Sequence, residues 1–233
     1  MDARERALLD AIWAEPEARE PRAIYADYLS ERGDPRGEYI AIRLAANPDD
    51  KQRLRASSLE AAHGGKWLGE ARPFVRTWGF DFAGIVSQVR CEADKLLAGF
   101  AQIVALGPRL TVTVTSMRTK KRQTVKQMCA LDLGRIHELR LGSNGLDDFD
   151  VGSLAIAMRC KRLALDNNRY GPNGLRMLDK HCAHLDYIHL GLWTDEAKSA
   201  IAFRELYVPF TEIPNLVGKL VFEQPAGARA FRC

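Results

Sequence analysis

The chain has 233 residues, 46% hydrophobic and 27% charged, and its 34 basic and 30 acidic side chains leave a formal charge of +4. This composition excludes a chain too polar to build a core, and so small a basic surplus argues against a surface made mainly to neutralise phosphate. Five cysteines, at 91, 129, 160, 182 and 233, are odd in number and form no CxxC, so neither a disulfide framework nor a zinc site is expected and the thiols fit a reducing cytoplasm.

The N-terminal MDARERALLDAIW mixes charges where a signal peptide needs an apolar run, and no stretch reaches about 18 apolar residues, so no membrane partner is expected. Ala7, Leu8, Ala11 and Ile12 recur at helical spacing until Pro16 ends the segment. A second helix is predicted through PRAIYADYLSERG, with Pro21 in its first turn, Gly33 as its stop and a stripe of Ile24, Tyr25, Tyr28 and Leu29. Asp34 and Pro35 then open a third helix with the stripe Tyr39, Ile40, Ile42 and Leu44, although Gly37 weakens its start. A fourth, more polar helix spans about Asp50 to His63, closed by Gly64 and Gly65.

Beyond residue 75 short strands alternate with helical runs. GIVSQVRC at 84–91 reads as a leading strand, and RLTVTVTS at 109–116 alternates as a half-buried strand does. A template LxxLxL then recurs as Ile136, Leu139, Leu141; Cys160, Leu163, Leu165; and Leu185, Ile188, Leu190. Its central positions, 139, 163 and 188, are 24 and 25 residues apart, and Asn144, Val151 and Leu154 repeat 24 residues on as Asn168, Leu175 and Leu178. Units of that length, a strand plus a helix, belong to leucine-rich repeats. Phe203, Leu206, Val208 and then Val217, Leu220, Phe222 continue the spacing at shorter intervals, as terminal repeats do.

Two resemblances follow from these residues. PRAIYADYLSERGDPRGEYI, with AAHGGKWLG and TWGF after it, resembles the bacterial repeat-companion domain over Leu8 to about Phe80; its YAD, ERGDPRGE and WLG elements fall on Tyr25–Asp27, Glu31–Glu38 and Trp67–Gly69. The later units resemble leucine-rich repeats of the ribonuclease-inhibitor type, with LxxLxLxxN at Ile136–Asn144 and, led by cysteine, at Cys160–Asn168. The third unit departs, with Trp193 in the asparagine position, so its corner should differ. The resemblances imply an α/β protein: a small helical domain at 1–74, then at 75–233 a short leucine-rich-repeat solenoid whose parallel β-sheet lines the concave face. They imply assembly and recognition, and bring no catalytic residue.

Asn144 and Asn168 are expected to be structural, their amides satisfying turn groups that burial would otherwise leave unpaired, while Asn167 is freer to face solvent. Alternation in the strands turns Glu138, Arg140, Arg162, Ala164, Asp166, Tyr187 and His189 outward, preceded by Thr111, Thr113 and Thr115. Of these Thr113, Glu138, Arg140, Arg162, Asp166, Tyr187 and His189 are the candidate partner-binding set, because arginine and aromatic anchors often dominate protein interfaces; the plain alternative is a solvated sheet. Arg118, Lys120, Lys121, Arg122 and Lys126 make a nucleic-acid reading available, with no interleaved aromatics and a solvated helix face as the simpler account.

Asp27, Glu31, Asp34 and Glu38 form an acidic series that capping and pairing with Arg32 or Arg36 explain without a metal or an acid pair. Cys182 with His181 and His184 offers thiol or ligand chemistry, yet falls at the end of a repeat helix. GxSxG, HExxH, phosphate-loop and dinucleotide fingerprints are missing, so no cofactor and no metal are expected. The sequence thus favours a non-enzymatic scaffold that binds a protein on the strand face. Nucleic-acid binding through 118–126 and an enzyme with its site at the domain junction are the alternatives.

Overall fold

The computed structural model describes residues 2–117, 121–191, 193–195, 200–203, 206–209, 212–217 and 219–221 of this α/β protein. The chain forms two compact units, Met1–Val89 with Ala101–Leu110, and Arg90–Phe100 with Thr111–Cys233. Residues 75–89 and 101–110, which the sequence division at 74 assigned to the second domain, therefore group with the N-terminal helices.

The first unit holds α1 (Ala3–Ala14), α2 (Glu20–Glu31), α3 (Pro35–Leu44) and α4 (Asp50–Trp67), a 3₁₀ segment at Gly69–Phe74 and β1 (Thr77–Phe80). Leu9, Ile12, Tyr25, Tyr28, Leu29, Tyr39, Ile40 and Leu59 form its core. The ERGDPRGE stretch works as joinery. Gly33 takes φ +70°, and the Gly33 and Asp34 amides donate to the carbonyls of Ser30 and Leu29, closing α2. The Asp34 carboxylate then accepts from the Arg36 amide and caps α3. Gly37 sits where α2 and α3 touch: a Cβ there would lie 2.4 Å from Ser30 Oγ and 2.6 Å from the Ala26 carbonyl oxygen. The residue that weakens the helix start is thus required by close packing.

Two expectations fail in this unit. Ile24 is 49% exposed, and Arg22 takes the buried place on α2, donating to Asp81 at 2.7 Å. Helix α4 does not stop at His63 but runs through Gly64 and Gly65 to Trp67. Gly64 is buried with the Trp78 indole 3.2 Å from where its Cβ would be, so packing on an absent side chain outweighs the glycine penalty.

Strand β2 (Val86–Glu92) passes from the first unit into the second, and α5 (Ala93–Val104), kinked at Gly99, returns. In the second unit β3 (Thr111–Thr115), α6 (Lys121–Met128), β4 (Glu138–Arg140), α7 (Asp148–Ala157), β5 (Arg162–Ala164), α8 (Pro172–His181) and β6 (Tyr187–His189) alternate. The order β2-β3-β4-β5-β6 continues to β10 (Leu220–Val221), and the ladders from β3 onward are parallel. Register aligns Val112, Leu139, Leu163, Ile188 and Leu220 in one row. The first four have no exposed surface, and Val125, Met128, Val151, Leu154, Leu175 and Leu178 of the helices are at most 2% exposed.

The C-terminal segments divide. Strands β7 (Trp193–Asp195), β8 (Ala200–Phe203) and β9 (Leu206–Pro209) make a separate antiparallel sheet, so Phe203, Leu206 and Val208 are not a rung of the parallel one. Following α9 (Pro214–Val217), Leu220 does take the next rung; Phe222 lies outside the described residues.

Candidate interaction surface

Each strand of the repeating units is followed by a residue in the left-handed region, Ser116 (φ 62°), Ser143 (φ 60°), Asn167 (φ 51°) and Gly191 (φ 62°), and the turn after β4 has a second, Gly145 (φ 70°). Asn167 holds that position, which asparagine tolerates better than most side chains. Its amide also donates to Ser143 Oγ at 3.0 Å, so it belongs to the turn stack as well as to the solvent side. Its neighbour Asn168 uses Oδ1 to accept from the Asn144 and Leu146 amides and Nδ2 to donate to the Leu141 and Leu165 carbonyls. Asn144, 2% exposed, does the same one unit earlier: Oδ1 accepts from Met117 N–H, and Nδ2 donates to the Val114, Leu141 and Gly142 carbonyls. Each amide therefore bolts its own turn to the preceding strand end. Gly191 aligns in register with Asp166 rather than Asn167, so the third unit turns one residue early, and the chain continues into β7 instead of a helix.

Opposite the leucine row, the register sets three cross-strand rows: Thr111, Glu138, Arg162, Tyr187; then Thr113, Arg140, Ala164, His189; then Thr115, Gly142, Asp166, Gly191. The expected outward set therefore shares one face, but it is not uniformly open. Glu138 is 6% exposed and Ala164 5% exposed, contrary to the reading of both as solvent-facing. For Glu138 the reason is its two arginines: Arg140 Nε donates to Glu138 Oε1 at 2.6 Å, Arg162 Nε lies 3.4 Å from Oε2, and the long side chains cover the glutamate. The Arg162 guanidinium stacks 4.2 Å from the Tyr187 ring centroid. Asp166 reaches sideways over Gly142, where a Cβ would stand 2.5 Å from its Oδ2, and lies 3.8 Å from His189 Nδ1. Neither the Asp166 site over glycine nor the Glu138 bridge is visible in one strand read alone; only Gly142 and Gly191, two residues past the outward arginine and histidine, hint at it.

The basic stretch separates into committed and outlying charges. Lys121 Nζ lies 2.8 Å from the fully buried Asp150 and donates to the Gly145 carbonyl, and Arg122 pairs with Asp147 at 3.2 Å while covering Phe149. These contacts hold α6 to α7. Lys126 is exposed, and Arg118 and Lys120 lie outside the described residues.

In the acidic series Glu38 makes a two-pronged pair with Arg55, whose hydrogen bonds hold its carboxyl below the usual range, and Asp34 serves as cap. Among the described residues no group of three or more His, Cys, Asp or Glu has metal-site geometry. Cys182 is buried, its thiol pushed up to about 12 by burial, and His184 is pushed down, first by burial and then by Arg159. A thiol held neutral is a poor nucleophile. No described helix is long and apolar enough to cross a membrane. No family model, no curated protein and no solved structure matches the chain.

Proposed function

We propose that this chain is a non-enzymatic interaction module of the cytoplasm: a helical domain of the repeat-companion kind, then a short leucine-rich-repeat solenoid whose concave strand face docks a protein. The parallel register, the unit length and the asparagine ties between turns support the repeat reading. The observation that carries the functional reading is the series Arg140, Glu138, Arg162, Tyr187, which crosses three strands with its arginines already held in place. Side chains fixed before association lose less freedom on binding, and arginine and tyrosine are favoured interface anchors.

A pull-down from the native cell with the wild-type chain and an Arg140→Glu, Tyr187→Ala double variant tests this. The variant is expected to lose partners that the wild type retains. An unchanged partner set would refute docking on this face.

A further inference from the structure

Two guanidiniums on the strand face share one carboxylate. Glu138 is nearly enclosed, with one oxygen facing Arg140 Nε and the other facing Arg162 Nε. Each guanidinium has five N–H donors, and a single carboxylate cannot saturate two of them. Among the described residues no hydrogen bond occupies the terminal amino groups of either arginine, and their side chains remain 45% and 40% exposed. The trio therefore retains one positive charge; Arg162 Nε is enclosed without a hydrogen bond, and the terminal amino groups of the two arginines are the donors left for the surface. Between Arg140 and His189 in the next row stands only Ala164, which leaves a shallow floor beside the two heads.

We propose that the partner presents an aspartate or glutamate side chain whose carboxylate takes the outward donors of Arg140 and Arg162. This rests on the docking face described above and names the chemistry of its partner: an acidic protein segment. A carboxylate suits the site better than a phosphate because Glu138 and Asp166 lie within the same three rows and repel a dianion more strongly. A nucleic-acid strand would need further cations, and Lys121 and Arg122 are spent on Asp150 and Asp147.

Arginine side-chain Nε–H resonances of the full chain report on this directly. The probe is a capped Gly-Glu-Glu-Gly peptide, compared with Gly-Gln-Gln-Gly and with inorganic phosphate. The Glu peptide should shift the Arg140 and Arg162 signals saturably, with affinity falling as salt is added, and an Arg140→Gln, Arg162→Gln variant that keeps the wild-type far-UV spectrum should bind roughly tenfold more weakly. No saturable shift, an equal response to the Gln peptide, or an equal response to phosphate would overturn the proposal. If the acidic peptide fails while the Arg140→Glu, Tyr187→Ala variant still loses its partners in the pull-down, the acidic class falls and the docking face stands. If the pull-down is unchanged, the face itself falls.

Discussion

Replacing Asn144 by alanine removes a whole set of buried partners at once. In the folded protein its Nδ2 donates to the carbonyls of Val114 (2.8 Å), Leu141 (3.1 Å) and Gly142 (3.2 Å), and its Oδ1 accepts from Met117 N–H (3.1 Å). Leu141 O keeps the Asn168 amide at 3.0 Å and Gly142 O is only partly buried, so the main losses fall on the buried Met117 N–H and Val114 O. A buried group left without a partner costs about 1–3 kcal/mol, so two of them put the loss at about 4 kcal/mol. Asn144→Asp keeps the acceptor for Met117 but turns the donor into a carboxylate facing carbonyl oxygens. It should be no milder than alanine at neutral pH, and should recover as pH falls and the carboxyl, its pKa raised by those oxygens, gains a proton. Urea titrations followed by far-UV circular dichroism at neutral and mildly acidic pH give both numbers. An alanine variant within about 0.5 kcal/mol of wild type, the range of an ordinary surface change, would refute the account of Asn144 as a bolt between turns.

Gly37→Ala should cost at least about 2 kcal/mol in the same titration, because its Cβ meets backbone of α2 that has no rotamer to yield; a neutral result would show that α2 and α3 separate easily. Arg22→Met leaves the Asp81 carboxylate without its guanidinium, although the Ala83 and Ile85 amides still donate to it, and a loss of about 3 kcal/mol is expected for breaking so enclosed a pair. In a Cys233→Ser background, a disulfide-exchange reagent at neutral pH should label Cys129 well before Cys91, Cys160 and Cys182, whose thiols burial pushes up to about 12. Equal labelling rates would contradict their enclosure. Since those folded values lie above the ordinary 9.0, the neutral thiol stabilises the fold in full below pH 9. That contribution fades between about 9 and 12, so the urea midpoint should fall across this window, and a flat profile would count against it. Tyr25, Tyr39 and Tyr170, also raised by burial, act in the same sense.

Much of the second unit was legible in one dimension. The spacing of Leu139, Leu163 and Ile188 placed them in a common row, and the 24-residue separation of Asn144 and Asn168 pointed to equivalent turns, because both patterns are written along the backbone. The misreadings have one source. Gly64 and Gly65 read locally as a stop, and Phe203, Leu206 and Val208 read locally as a rung; Trp78 packing and antiparallel pairing decided otherwise. Ile24 and Arg22 exchanged roles on α2 because Asp81, 59 residues away from Arg22, supplies the charge that lets an arginine be buried.

The same division runs through the candidate surface. Alternation along a strand determines which face a side chain joins, since successive residues of an extended chain point to opposite sides, and Glu138, Arg140, Arg162, Asp166, Tyr187 and His189 were assignable to one face on that basis alone. What tertiary structure decided is how they use it: Glu138 enclosed between two arginines, Arg162 laid on Tyr187, Asp166 resting over Gly142. Apart from the Arg140–Glu138 bond within β4, those contacts join residues on neighbouring strands, and their strength depends on distances of a few ångströms that sequence separation does not specify.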